Sequence, residues 1–297
     1  MQPFYHFFVL PFKRTINNNP NEDTIMKYKT IYAVFLLLTL IFYSSCEKPG
    51  ETGRLVIQIT DDPFPMEMIE EARINIIKVE LRKAGEDLED PYLNIFEDNV
   101  ELNLVDLRNG ITSQLLDIEV PAGNYDLIRL YVDNASLSVK DGDRYDVKVP
   151  SGAQTGIKIF VKPEIEVGDG ITAELLLDFD LSKSFVLKGN YRTPAGIKGF
   201  NFKPVIRAVN NSTAGRIEGE VSDTAAVVIP NASVWMEQDS VIASAFTDTT
   251  GYYSIIGLPT GIYTLYATKE KYDTVMSDVV IIAANRTIRN ITLTPKE

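Results

Sequence analysis

Val120-Pro-Ala-Gly-Asn-Tyr-Asp-Leu-Ile-Arg-Leu-Tyr-Val132, then Asp133-Asn134, Ala135-Ser-Leu-Ser-Val139, Lys140-Asp-Gly-Asp143 and Arg144-Tyr-Asp-Val-Lys-Val149 decide the fold. The apolar residues come in short β-branched and aromatic groups, each ended by Gly, Pro, Asn or Asp, which is strand grammar. Leu127–Val132 and Ala135–Val139 read as two strands flanking Asp133-Asn134. Lys140–Asp143 reads as a tight hairpin turn before Tyr145–Val149. The Pro-x-Gly turn at the start feeds a strand whose Tyr125 and Leu127 are expected to share one face.

The same pattern extends both ways. Leu55–Thr60 is a β-branched run ended by Asp61-Asp62-Pro63. Ala72–Arg82 alternates, with a break near Lys78 that reads as a bulge. Glu86–Pro91 is an acidic loop, and Val100–Leu107 reads as a strand. The turn Arg108-Asn109-Gly110 follows, then Ile111–Leu116, read as a helical turn. Ile157–Val161, Glu164–Val167, Ile171–Phe179 and Phe200–Val209 continue the strand series. No helical period longer than about three turns occurs after residue 46. The fold class is all-β.

Asn210-Asn-Ser-Thr-Ala-Gly215 is small and polar and marks the boundary between two domains, 54–209 and 216–297, with 210–215 as linker. Strand spacing of 8–12 residues indicates sandwiches or open barrels, and two β-sandwich domains are expected. The second domain repeats the turn phrase of the first: Leu258-Pro-Thr-Gly-Ile-Tyr-Thr-Leu265 echoes Val120-Pro-Ala-Gly-Asn-Tyr-Asp-Leu127.

The N-terminal part carries a targeting signal. From Met26 the order is a basic start (Lys27, Lys29), an apolar run Ile31–Tyr43 and the small pair Ser44-Ser45 ahead of Cys46, the only cysteine. These features describe a secretory signal peptide over residues 26–45. A cysteine directly after the small pair makes it a lipoprotein signal, whose thiol is acylated and becomes the new N-terminus. Tyr43 departs from the Leu usual at its position. Residues 1–25 read as an over-called N-terminal extension and 46–53 as a tether. Glu47 after the cysteine is compatible with transfer to an outer membrane.

Removal of residues 1–45 takes away the only histidine, His6, and lipid occupies Cys46. Ser-His-Asp and Cys-His catalysis, zinc sites built on His or Cys, and disulfides are then excluded. The remaining chain has 25 basic against 39 acidic residues. Such a chain is repelled by phosphate backbones and anionic lipid. Nucleic acid is therefore not an expected partner, and membrane attachment rests on the acyl chains.

Two family resemblances follow from quoted phrases. Gly219-Glu-Val, Pro230-Asn-Ala-Ser-Val, Thr247-Asp-Thr-Thr-Gly-Tyr-Tyr253 and Leu258-Pro-Thr-Gly-Ile-Tyr263 resemble the carboxypeptidase regulatory-like domain. The resemblance implies a transthyretin-like (prealbumin-like) sandwich, with Asp248 and Gly251 in a hairpin turn and Tyr253 and Tyr263 packed inward. It also implies a module for stability, spacing or glycan contact, with no catalytic residue. Thr60-Asp-Asp-Pro, Leu107-Arg-Asn-Gly110, Pro121-Ala-Gly-Asn-Tyr125, Ile128-Arg-Leu, Val149–Lys158, Leu177-Asp-Phe-Asp180 and Lys203-Pro-Val-Ile-Arg207 together resemble DUF4382, a bacterial domain of unknown function. That resemblance implies no activity.

Candidate site residues are few. Asp178 and Asp180 lie two apart on a strand, so both carboxylates face one side. With Asp61, Asp62, Asp141 or Asp143 they would hold Ca2+ through oxygen ligands; otherwise one caps a loop and the other is solvated. Arg207, Arg129 and Lys158 are expected as partners of the Asp residues. The loop Ser151–Gly156 lacks the Lys-Ser/Thr ending of a phosphate loop and reads as a connector. Trp235, the only tryptophan, faces opposite to Val234 and Met236 and is the candidate sugar-stacking ring, with a core tryptophan as the alternative. Tyr252, Tyr266 and Tyr272 are lesser candidates. Asp223-Thr, Asp239-Ser and Asp273-Thr fit a short O-glycan attachment pattern. The expectation is a non-catalytic envelope lipoprotein, either binding glycan or surface polymer or assembling with envelope proteins.

Overall fold

Strand-forming sequence becomes strand through most of the described residues, which are 52–62, 68–85, 91–150, 153–190 and 196–296 of the computed structural model. The signal segment, Cys46 and residues 86–90 of the acidic loop lie outside them. No helix among the described residues is long and apolar enough to cross a membrane.

In the first domain, β1 (Thr52–Asp62) pairs antiparallel with β4 (Ser113–Pro121) and parallel with β8 (Thr172–Asp180). β8 pairs in turn with β11 (Ile206–Asn210). Through one parallel pair, Ala208 with Val161, β11 joins β7 (Ile157–Val167), and the same nine-stranded sheet continues into β5 (Gly123–Val139), β2 (Ile69–Lys83) and β3 (Tyr92–Asn103), which form its facing layer, with β6 (Arg144–Val147) paired to β5. Ile57, Ile59, Ile74, Leu130, Leu175 and Phe179 are buried in the single core shared by the layers. A hairpin of β9 (Phe185–Gly189) and β10 (Ile197–Phe202) adds Phe185 and Phe202 to it, with ring centroids 4.7 Å apart.

Pairing overrides local reading at three points. Asp133-Asn134 is not a turn, because β5 runs unbroken through it. The register against β2 slips between Asn75 and Ile76, leaving Asp133 as a bulge that accepts from Asn75 Nδ2 at 2.8 Å. Ile111–Leu116 is not helical; Ser113 onward pairs with β1 and buries Leu115 and Leu116. The helical turn comes earlier, as a 3-10 turn at Leu104–Leu107 that buries Leu104, Val105 and Leu107. A register slip between Tyr125 and Leu127 also separates those two residues. Tyr125 joins the core with Ile128 and Leu130, and Leu127 is buried outside it. The break near Lys78 is a bulge at Ile77, seen against both β3 and β5.

The second domain centres on β12 (Gly215–Asp223). It has β15 (Tyr252–Leu258) on one side and β18 (Arg286–Ile288) and β19 (Ile291–Leu293) on the other. The opposing sheet has the order β14 (Val241–Phe246), β13 (Ser233–Glu237), β16 (Gly261–Thr268) and β17 (Val275–Ile281). Ile217, Val234, Met236, Tyr253, Tyr263 and Leu265 are buried between them. The β14–β15 turn is organised by Asp248, whose Oδ1 accepts from Thr250 N, Thr250 Oγ1 and Tyr252 N. Burial pushes this carboxyl's pKa up, but the three donors outweigh it and hold the group below the usual carboxylate range.

The repeated turn phrase has the same physics in both domains. Tyr125 Oη donates to Pro121 O at 2.7 Å, and Tyr263 Oη donates to Pro259 O at 2.8 Å. Each phenol ties its strand back onto the turn that starts it. Tyr125→Phe and Tyr263→Phe should each lower unfolding stability by about 1 kcal/mol, since a hydrogen bond is lost. Urea titration should show a lower midpoint with an unchanged slope. An unmoved midpoint would show that the corner bond does not hold the strand.

Candidate functional site

Asp178 and Asp180 share one face of β8, and both are buried. Arg207 Nη2 donates to Asp178 Oδ2 at 2.6 Å. Asp180 caps the turn Leu181–Ser184, accepting from Lys183 N at 2.9 Å and Ser182 Oγ at 2.6 Å, and pairs with Lys183 Nζ at 2.6 Å. Asp141 and Asp143 flank the β5–β6 hairpin, in the other layer. Among the described residues, no three acidic, His or Cys side chains converge as metal ligands. Arg207 and Lys183 each supply a positive charge beside the Asp pair. Arg129 pairs with Glu80, not with an Asp, at 3.0 Å. Burial raises the pKa of Glu80, but Lys78, Tyr131 and Arg129 outweigh it and keep this carboxyl below its usual range.

Arg207 reaches further than Asp178. Its Nη1 donates to Gly257 O of the second domain at 2.7 Å. β15 is an edge strand, so its outward N–H and C=O groups need partners. Asn109 supplies them with one side-chain amide: Nδ2 donates to Tyr252 O at 3.3 Å and Oδ1 accepts from Ser254 N at 2.5 Å. The amide stands where a neighbouring strand would be. Asn109 holds φ 59°, a left-handed conformation that Asn tolerates. Gly110 follows at φ 79°, and a Cβ there would lie 2.6 Å from Ser254 Oγ. The Asn-Gly pair is legible in the sequence as a turn; its docking on a strand 145 residues away is not.

Asn109→Gly keeps the backbone conformation available and removes only the amide. Stability should fall by about 1–2 kcal/mol, and the Ser254 amide should exchange with solvent about tenfold faster or more. Unchanged protection at Ser254 would mean that Asn109 does not cap the edge.

The outer face of the β14–β13–β16–β17 sheet brings the predicted aromatic residue into a patterned surface. Val234 and Met236 are buried and Trp235 is half-buried on the opposite face. Strand register sets Ser244, Trp235, Tyr266 and Met276 in one row across the sheet. The Trp235 and Tyr266 rings stack with centroids 5.1 Å apart and planes 7° from parallel. The stack occupies one face of each ring. Trp235 Nε1 donates to Glu237 Oε1 at 2.8 Å, which fixes the indole. The adjacent row is Glu237, Thr264 and Asp278, with Thr264 Oγ1 donating to Asp278 Oδ1 at 3.2 Å. Beyond it, Ile262 and Val280 face each other, 68% and 57% exposed. Tyr252 and Tyr272 do not join this surface; Tyr252 bonds Glu218, and Tyr272 packs against the core.

Comparison with known proteins gives two family matches. Residues 52–204 match the model of a domain of unknown function, DUF4382, and residues 216–294 match the carboxypeptidase regulatory-like domain. Both matches point to a non-catalytic module. Nothing among curated proteins matches. Among solved structures, the Bacillus anthracis TIE protein is 16% identical with a TM-score of 0.26, and the match covers 82% of this chain and 34% of that one. The chain therefore spans about a third of that protein's length. The minor pilin GBS52 of Streptococcus agalactiae is 13% identical with a TM-score of 0.24, covering 82% and 97%. Catechol 1,2-dioxygenase of Acinetobacter radioresistens is 11% identical with a TM-score of 0.24, over 29% and 53%. Superpositions this loose bear on neither fold nor function.

Proposed function

This chain belongs to the DUF4382 family, and we propose that it is a non-catalytic lipoprotein of the bacterial envelope whose second domain contacts carbohydrate or another surface polymer. The reading is carried by the stacked Trp235–Tyr266 row beside the Glu237–Thr264–Asp278 row on an open sheet face. Ring faces pack on the C–H surface of a pyranose, and flanking carboxylates and hydroxyls bond its hydroxyls. The anchor is the lipid on Cys46, and the outer membrane is the proposed location.

An array of glycans and polysaccharides probed with the purified full chain tests the binding. Trp235→Ala should weaken any hit by about tenfold or more while the chain stays folded. A chelator should have no effect, because Asp178 and Asp180 are engaged by Arg207 and Lys183. Tight binding that ignores the Trp235 change removes that residue from the site, and silence across the array removes the glycan reading.

The anchor is tested separately. Cys46→Ser should move the chain from the membrane to the soluble fraction and abolish acyl labelling. Retention in the membrane would sink the lipoprotein assignment.

One observation favours a second reading, a structural or assembly role with a protein partner. Ile262, Met276 and Val280 are each more than half exposed on the same face. Cross-linking in intact cells that captures one stoichiometric partner would favour it over glycan contact.

A further inference from the structure

We infer that the cleft between the two domains is a binding site for a sugar chain bearing a carboxylate. This inference does not rest on the outer-face reading; it concerns different residues. The cleft encloses about 900 Å³, the scale of a small-molecule site, and domain interfaces are where such sites concentrate.

Hydrogen bonds hold its width at both ends. On one side Asn109 and Arg207 fix β15 to the first domain. On the other the connector is pinned to both walls: Asn211 N donates to Glu174 O at 2.8 Å, Glu174 N donates to Ser212 Oγ at 2.9 Å, and Ala284 N donates to Thr213 O at 3.3 Å. The site is therefore preformed.

Its charge pattern points to an anion. Arg216 and Arg286 stand directly opposite each other in the parallel β12–β18 pair. Like charges in that position repel. Among the described residues, Glu218 is the carboxylate both share, 3.0 Å from Arg286 and 3.9 Å from Arg216. Two guanidiniums on one carboxylate leave positive charge on this wall, with Glu174 the one acidic lining residue on the opposite wall, in a chain of formal net charge −12. Both side chains are about half exposed, at 54% and 51%, and open to the cleft. A planar guanidinium suits a carboxylate.

The rest of the lining suits hydroxyls. Gln58, Asn211 and Asn285 offer amides that both donate and accept, and Glu174 offers acceptors on the opposite wall. Asn211 Nδ2 makes only long bonds here, 3.3 Å to Gln58 Oε1 and 3.4 Å to Glu174 Oε2, which a ligand hydroxyl can replace. Ile256 is the one large apolar side chain among the lining residues. No aromatic ring stands among the lining residues to stack a base.

Calorimetric titration of the full chain with galacturonate, glucuronate and mannuronate trimers tests the site. The controls are the trimers' methyl esters and an acidic peptide of equal charge. At least one acid trimer should bind, and its ester should bind about tenfold more weakly or worse. Arg286→Gln, and independently Arg216→Gln, should each weaken the acid trimer by about tenfold, and Trp235→Ala should leave it unchanged. Either exposed arginine change suffices if the other variant does not fold. Four results would each overturn the proposal: no acid trimer binds, acid and ester bind equally, the peptide binds as tightly, or loss of Trp235 abolishes binding.

Discussion

β15 closes its sheet with N–H and C=O groups that point away from β12, and those groups need partners. A further strand on this edge is one solution. This chain instead uses the side-chain amide of Asn109 and the guanidinium of Arg207, both from the other domain. The choice covers an edge that would otherwise be open to pairing with other chains. It also explains why Asp178 is buried, since that carboxylate holds the guanidinium that reaches Gly257. The connector and the cleft beside it take their geometry from this junction.

Within each domain the analogous constraint is the tyrosine corner. Tyr125 and Tyr263 each bond the carbonyl four residues back, at Pro121 and Pro259. The proline fixes one torsion of the turn, and the phenol locks the result to the core. The two strands differ afterwards: β5 bulges after its corner, whereas β16 continues in register with Leu265 beside Tyr263 in the core.

The surfaces left over divide the molecule by chemistry. The outer face of the second domain carries rings, aliphatic groups and acceptors in rows. The cleft carries amides, hydroxyls and a guanidinium pair with incomplete neutralisation. Neither has a histidine or a thiol, and the matched families point to a non-catalytic module.

Alternation and punctuation are local, so they were readable along the chain. They revealed the strands, the Lys140–Asp143 hairpin, the bulge at Ile77 and the outward direction of Trp235, because a side chain's face follows from its two neighbours. Partner choice is not local. Asp133-Asn134 looks like a turn until β2 pairs across it, and Ile111–Leu116 looks helical until β1 does. Arg207 meets Asp178, a partner type that residue chemistry suggested, whereas Arg129 pairs with Glu80 on a neighbouring strand instead of with an Asp. By itself the sequence determined the all-β class and most of the inward and outward faces. Tertiary structure alone decided which edges meet, which charges pair and where a cleft opens, since each depends on groups brought together only when the sheets stack.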